Sequence, residues 1–269
     1  VIPFGPQHPV LPEPLHLDLV LEDETIVDAI PSIGYIHRGL ELLVAKRDYQ
    51  TFTYVAERIC GICSFMHGMG YCLAVEQVMG ITVPRRADFI RVVYCELSRI
   101  HSHLLWLGLA ADAFGFEQLF MQTWKARELV LDLVEATAGA RVIFGNCKIG
   151  GVRHDLSADN SALMIKVLGG MRKDLRQLCD IFLKDLSIRD RLSRVGRLDQ
   201  ETARLTGAVG PMLRASGVAS DTRQLGYAAY DELEITPVIA QSGDCLGRVE
   251  VRVGEIFQSI ELIEKALGL

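Results

Sequence analysis

The chain has 269 residues, 49% apolar and 23% charged, an ordinary globular balance that argues against disorder. The 28 basic side chains stand against 34 acidic ones, a formal charge of −6, which disfavours a nucleic-acid partner because phosphate binding needs a basic face. No apolar run approaches the ~20 residues of a membrane span. The seven cysteines are odd in number and scattered, and no signal peptide is seen, so the expectation is a cytosolic chain with reduced thiols.

Residues 1–14 are proline-rich and hold no regular structure for long. Leu15, Leu17, Leu19 and Leu21 recur at the period of a half-buried strand. Glu22-Asp23-Glu24 turns the chain, residues 25–30 return as a second strand, and Pro31 ends it. Residues 39–50 read as a short helix, and 51–58 lead into a cysteine loop. A helix over 65–79 follows, stopped by Gly80. Pro84 opens a long helix over 85–113, with Phe89, Val92, Val93, Leu97, Ile100, Leu104 and Leu107 at helical spacing. Residues 116–138 form the next, long enough with the first to make the core of a bundle. A short strand is expected over 141–144, before a glycine-rich turn. Ser157-Ala158-Asp159-Asn160 signals a helix start, with an amphipathic stretch over 161–186. Residues 194–222 are broken and polar, and 247–267 form a last amphipathic helix. The fold class is therefore α+β and mostly helical. A single domain is expected, with a β-hairpin region over 1–35 and a helical body over 36–269.

The chemistry concentrates in Glu57-Arg58-Ile59-Cys60-Gly61-Ile62-Cys63-Ser64-Phe65-Met66-His67. A C-x-x-C brings two thiolates within reach of one metal ion or of each other. Three bland readings compete. A closed zinc site needs four ligands, and no second close cysteine pair exists. A thioredoxin-like dithiol would sit between a strand and a helix, whereas helix precedes this loop. Two inert buried cysteines would not need the flanking Arg58 and His67, cations that favour thiolate.

The whole pattern, R-x-C-G-x-C-x-x-x-H, resembles the first cysteine motif of the nickel–iron hydrogenase large subunit. The lead-in His37-Arg38-Gly39-Leu40-Glu41, then Arg47-Asp48 and Glu57-Arg58, resembles the same family. Phe4-Gly5-Pro6-Gln7-His8-Pro9 is similar to the start of energy-converting, membrane-associated hydrogenases and of the related 49-kDa subunit of respiratory complex I. Gly150-Gly151-Val152-Arg153, Leu205-Thr206-Gly207 and Leu213-Arg214-Ala215-Ser216-Gly217 extend the likeness over nearly the whole chain. Beyond G-P-Q-H-P, complex I subunits carry a further histidine that has no counterpart before His16, and they lack the paired cysteines. Both departures favour hydrogenase.

The resemblance implies a nickel–iron centre whose iron carries carbon monoxide and cyanide. Cys60 would be a terminal nickel ligand and Cys63 a bridge to iron. The reaction would be reversible, heterolytic cleavage of H2, with a thiolate taking the proton. Glu13, in Leu11-Pro12-Glu13-Pro14, matches the glutamate that receives that proton. His67 would donate to the sulfur of Cys63, and Arg58 would organise the loop. Glu41 matches a carboxylate that in soluble relatives holds a magnesium or iron ion. The implied partners are a small subunit with an iron–sulfur cluster and membrane subunits that translocate ions, placing the chain peripherally on the cytoplasmic side of the membrane. The family's second motif, D-P-C-x-x-C, has no counterpart, so the resemblance implies a missing carboxy-terminal portion. Two other functions stay open: a quinone-site subunit like that of complex I, and a non-catalytic scaffold paralogue. On the long helix, Glu96, Arg99 and His103 share one side and are expected to form a buried polar network. His101 and His103, two apart, cannot chelate one ion.

Overall fold

The computed structural model describes every residue except Val10, Pro12 and Leu269. The Leu11-Pro12-Glu13-Pro14 segment therefore lies outside the described residues at Pro12, as does the last residue of the chain. The chain forms two compact units, Val1–Asp48 and Tyr49–Leu269.

The first unit is a three-stranded antiparallel sheet with one short helix. Its strands β1 (Ile2–Phe4), β2 (His16–Glu22) and β3 (Thr25–Ser32) lie in the order β1-β2-β3. The proline-rich start was expected to be irregular, yet Ile2, Pro3 and Phe4 pair with Leu19, Asp18 and Leu17. β3 also runs on through Pro31, opposite Leu17, instead of ending before it. Both prolines stand in edge strands, where a missing N–H costs no ladder bond. Helix α1 (Leu40–Val44) follows Gly39, whose φ of 68° is a left-handed conformation that glycine adopts without strain.

The second unit is helical. The expected helix over 39–50 is divided: α1 stops at Val44, and α2 (Tyr49–Ala56) starts after Asp48, a residue type that favours helix starts over interiors. Then come α3 (Ser64–Met79), α4 (Arg85–Ala113) and α5 (Glu117–Ala138). Gly80 and Gly139 end α3 and α5 in the left-handed conformation. The strand expected over 141–144 does not form. The carbonyl of Val142 accepts from the Ser64 hydroxyl at 3.0 Å, and Phe144 turns inward to stack on Phe65, their centroids 5.7 Å apart. A small hairpin forms just beyond, from β4 (Cys147–Lys148) and β5 (Gly151–Val152).

Helices α6 (Ala158–Lys184) and α7 (Leu186–Leu192) come next, the first capped by Ser157 and the second by Asp185. The broken stretch carries α8 (Gln200–Leu205) and α9 (Gly210–Ala215), and α10 (Cys245–Gly268) closes the chain. α4 is the axis of this unit. At 29 residues it is about 43 Å long, and α5 and α10 pack along it while α6 packs on both of them. Val92, Leu97, Ile100, Leu104, Leu107 and Ala111 are wholly enclosed. Full burial of each large aliphatic side chain contributes about 1.5–3 kcal/mol. Among the described residues no helix is long and apolar enough to cross a membrane.

Buried ion pairs tie this framework together. Arg91 of α4 clamps Glu76 of α3 through two bonds of 3.0 and 2.5 Å and also donates to the carbonyls of Lys148 and Gly151. One guanidinium thus ties α3, α4 and the β4–β5 hairpin together.

Candidate metal centre

The loop of residues 57–63 joins α2 to α3. Cys63 is the residue that caps α3, so its sulfur lies at the positive end of a sixteen-residue helix. His67 stands four residues on, one turn along the same face. Cys60 comes from the loop, and its Sγ accepts the backbone N–H of Ile62 at 3.4 Å. The donor atoms of Cys60, Cys63 and His67 all lie within 4.8 Å of one another, and all three residues are half-buried. Two thiolates on one metal ion, each bonded at about 2.3 Å, can stand no more than ~4.6 Å apart. The bound of 4.8 Å lies within a small side-chain adjustment of that limit.

The donor set is soft: two thiols and an imidazole, suited to nickel, zinc or iron. A closed zinc site would need a fourth ligand, and among the described residues no further cysteine, histidine or carboxylate joins the group. The pair also lies between two helices, not between a strand and a helix, which removes the thioredoxin-like arrangement.

The loop is held from behind by Glu57, which is buried. Its carboxylate faces Arg153 at 3.2 Å, and burial raises its pKa against the pull of Arg153 and Arg58. Gly68 and Gly145 make room for it. A Cβ on Gly68 would stand 2.7 Å from the Glu57 Cγ, and one on Gly145 would meet the carboxylate itself. Arg153 in turn lies over the Tyr54 ring, 4.0 Å from its centroid. Arg58 donates from Nη1 to the Tyr54 carbonyl at 2.7 Å, tying the entry of the loop to the last turn of α2. Sequence reasoning named Arg58 and the G-G-V-R segment but missed Glu57 as the supporting carboxylate. Its signal was a carboxylate one residue past the end of α2, directly before Arg58.

Glu13 and Glu41 belong to the first unit. Glu13 is exposed in a bend. Glu41, in the first turn of α1, meets His37 at 3.3 Å. Its own backbone N–H and then the His37 charge hold its carboxyl below the ordinary value.

A second polar cluster lies between α4, α9 and α10. Glu96, wholly buried, accepts from Arg99 at 3.2 Å, from Arg223 at 3.3 Å, and from the hydroxyls of Tyr230 and Ser259. Glu255 takes His103 at 2.6 Å and Arg214 at 2.7 Å. The network expected around Glu96, Arg99 and His103 is present, and its acidic partner on α10 was not foreseen. His101, two residues before His103, belongs to neither the network nor the cysteine group.

Two family models divide the chain. Residues 38–110 match the nickel-dependent hydrogenases, and residues 114–268 match the 49-kDa subunit of respiratory-chain NADH dehydrogenase. An F420H2 dehydrogenase subunit of Methanosarcina mazei is 38% identical over the full chain and 72% of its own length. The chain belongs to the family that joins nickel-dependent hydrogenases to the complex I 49-kDa subunit. Within that family it is 42% identical to the membrane-bound hydrogenase subunit alpha of Pyrococcus furiosus, over 99% of this chain. It is 39% identical to formate hydrogenlyase subunit 5 of Escherichia coli, again over 99% of this chain. It spans 64% and 47% of the lengths of those two relatives. The hydrogenase-matching part contains the whole cysteine site.

Proposed function

We propose that this chain is the catalytic subunit of an energy-converting nickel–iron hydrogenase, cleaving H2 reversibly and heterolytically. The observation that carries the reading is the convergence of Cys60, Cys63 and His67 on one point at the start of α3. The likeness to the membrane-bound hydrogenase subunit and the nickel-dependent hydrogenase match of residues 38–110 support it.

Cys60 and Cys63 would hold nickel, with Cys63 also reaching an iron that bears carbon monoxide and cyanide. Among the described residues these two thiolates have no second cysteine pair to complete a four-thiolate set. The centre, when bound, supplies a Lewis acid that acidifies hydrogen and a redox couple that takes its electrons.

The chain's own residues do the rest. Cys60 accepts the Ile62 N–H, which orients its sulfur within the loop. His67 donates to the Cys63 sulfur and tunes its basicity, as outer hydrogen bonds do. Glu13 carries the released proton onward, and Glu41 binds a magnesium or iron ion. Electrons pass to an iron–sulfur cluster in a small partner subunit, and membrane subunits on the cytoplasmic side couple the flow to ion translocation.

The test is nickel in the anaerobically purified complex, together with hydrogen-dependent electron transfer. A preparation without nickel would refute the reading. The match of residues 114–268 to the 49-kDa subunit favours one alternative, a quinone-site subunit. Electron transfer stopped by quinone-site inhibitors would select that alternative.

A further inference from the structure

The alternation of leucines from Leu15 to Leu21 calls for a core beneath one side of β2, and the first unit supplies none. Among its described residues not one is buried. The register nevertheless sorts its sheet into two unlike faces, because directly paired residues point to the same side. One face holds Phe4, Leu17 and Pro31 in a first rung, Ile2, Leu19 and Ala29 in a second, and Leu21 with Ile26 in a third. Every member is apolar. The other face carries His16, Asp18, Asp28 and Ser32 beside Val20 and Ile30. On the apolar face Ile2 and Ile26 are 54% and 55% exposed. A three-stranded sheet draws its stability from packing such a face, and here the face is open.

Its size and its border say what kind of body covers it. The seven residues of β2 give the face a length of about 24 Å, and three strands give a width of about 14 Å, so its area is roughly 340 Å². A stable interface takes about 800 Å² from each partner, so contacts around the border must contribute. That border is acidic. Residues 1–37 contain Glu13, Asp18, Glu22, Asp23, Glu24 and Asp28 and no lysine or arginine. Glu22, Asp23 and Glu24 form the exposed tip of the β2–β3 hairpin, and none of the three has an ion-pair partner among the described residues. Two copies of the chain would set carboxylates against carboxylates, and an anionic lipid surface would be repelled. The outer edge of β3 is also closed to an added strand at two points. The Ala29 N–H is taken by the Asp28 carboxylate at 2.8 Å, and Pro31 has no N–H to give. The occupant therefore lies on the face and not beside the edge.

We propose that the apolar face of the first sheet is the docking surface for a partner subunit whose own apolar patch is bordered by lysine or arginine, with those cations meeting the Glu22-Asp23-Glu24 tip. The inference rests on the reading of this chain as one subunit of a complex. It does not depend on which metal the cysteines hold.

The intact complex tests it. A benzophenone-bearing amino acid is placed at position 26 and activated by light in the purified complex, and peptide mass spectrometry locates the residue it joins. The expected product links β3 to an apolar segment of another polypeptide flanked by lysine or arginine. A link within this polypeptide, to a second copy or to lipid would overturn the proposal, as would the absence of any link. Affinity supplies a second reading, taken by recombining the full chain with the remaining subunits. Glu22→Gln, Asp23→Asn and Glu24→Gln together should raise the dissociation constant about 10-fold at low salt, the sum of three exposed charge pairs, and have no effect at about 1 M salt. Asparagine suits position 23, where φ is 52°. Ile26→Glu should weaken binding about 10-fold or more at every salt concentration. If the added charge disturbs the sheet, Ile26→Thr keeps a β-branched residue and should weaken binding about 3-fold. Unchanged affinity in either set would overturn the proposal. Nickel is measured on the same unsubstituted complex, and its absence would refute the nickel–iron reading while leaving this surface in place.

Discussion

His103 and Glu255 lie on different helices, α4 and α10, and meet at 2.6 Å in the interior of the second unit. Against burial, which alone would raise it, the hydrogen bond and charge of His103 together with Arg214 and Arg99 hold Glu255 at about 2. Against burial likewise, Arg223 holds Asp221 at about 2. Burial drives His103 below its usual 6.5. In each case the folded chain binds fewer protons than the unfolded one. Stability from the two carboxylates is fully present above pH ~4.5 and lost as pH falls towards 2; the histidine begins to cost stability below pH ~6.5. Acid denaturation followed by circular dichroism should therefore begin below pH ~6.5 and steepen below ~4.5. Glu255→Gln should flatten the lower limb. It should also destabilise the chain at neutral pH by about 3–5 kcal/mol, since it strands Arg214.

Breaking the Arg91–Glu76 clamp should also strand a buried partner. Arg91→Leu leaves a buried carboxylate and two carbonyls without their donor, at a cost of about 3–5 kcal/mol. The double variant Arg91→Leu with Glu76→Leu should recover part of that loss. Urea titration of the three proteins measures it.

Gly68→Ala places a methyl carbon 2.7 Å from the Glu57 Cγ. Overpacking of this kind costs about 1–3 kcal/mol. Because Glu57 supports the cysteine loop, metal retention should fall along with the melting temperature.

Cys60→Ser and Cys63→Ser should abolish nickel binding and leave the helical circular dichroism intact, because both residues are only half-buried and stand outside the α4 core. His67→Ala should weaken metal retention about 10- to 100-fold, as loss of an outer-shell partner does. Metal analysis of the purified complexes checks all three.

Glu13→Gln should keep the metal but slow the exchange of deuterium between D2 and water by about 10²- to 10⁴-fold, the range of a lost acid–base group. Undiminished exchange would remove Glu13 from the proton path.

Most of the fold was legible because its signals are local. Helical spacing from Phe89 to Leu107 and Pro84 ahead of it delimit α4, whose bounds of Arg85 and Ala113 match the expected 85–113. The glycines at 80 and 139 mark helix ends by their own stereochemistry. What failed depended on distant partners. Residues 141–144 have the composition of a strand, but Val142 finds a hydroxyl and Phe144 an aromatic cluster, so no ladder forms. Ile2–Phe4 looked irregular because Pro3 hides the pairing that β2 imposes. In the site, spacing put Cys60, Cys63 and His67 on one short stretch, and only the family resemblance suggested their roles. Glu57 and Arg153 were not legible, because their pairing joins segments about 100 residues apart that only the packed unit brings together.

The central claim is that Cys60 and Cys63 bind nickel, with His67 supporting the Cys63 sulfur. The most direct test is elemental analysis of the native complex containing this chain, purified without oxygen, with hydrogen uptake measured on the same sample. The account predicts nickel and iron in stoichiometric amount with the chain, and uptake lost together with nickel in Cys60→Ser. A complex that transfers electrons to quinone while holding no nickel would contradict it.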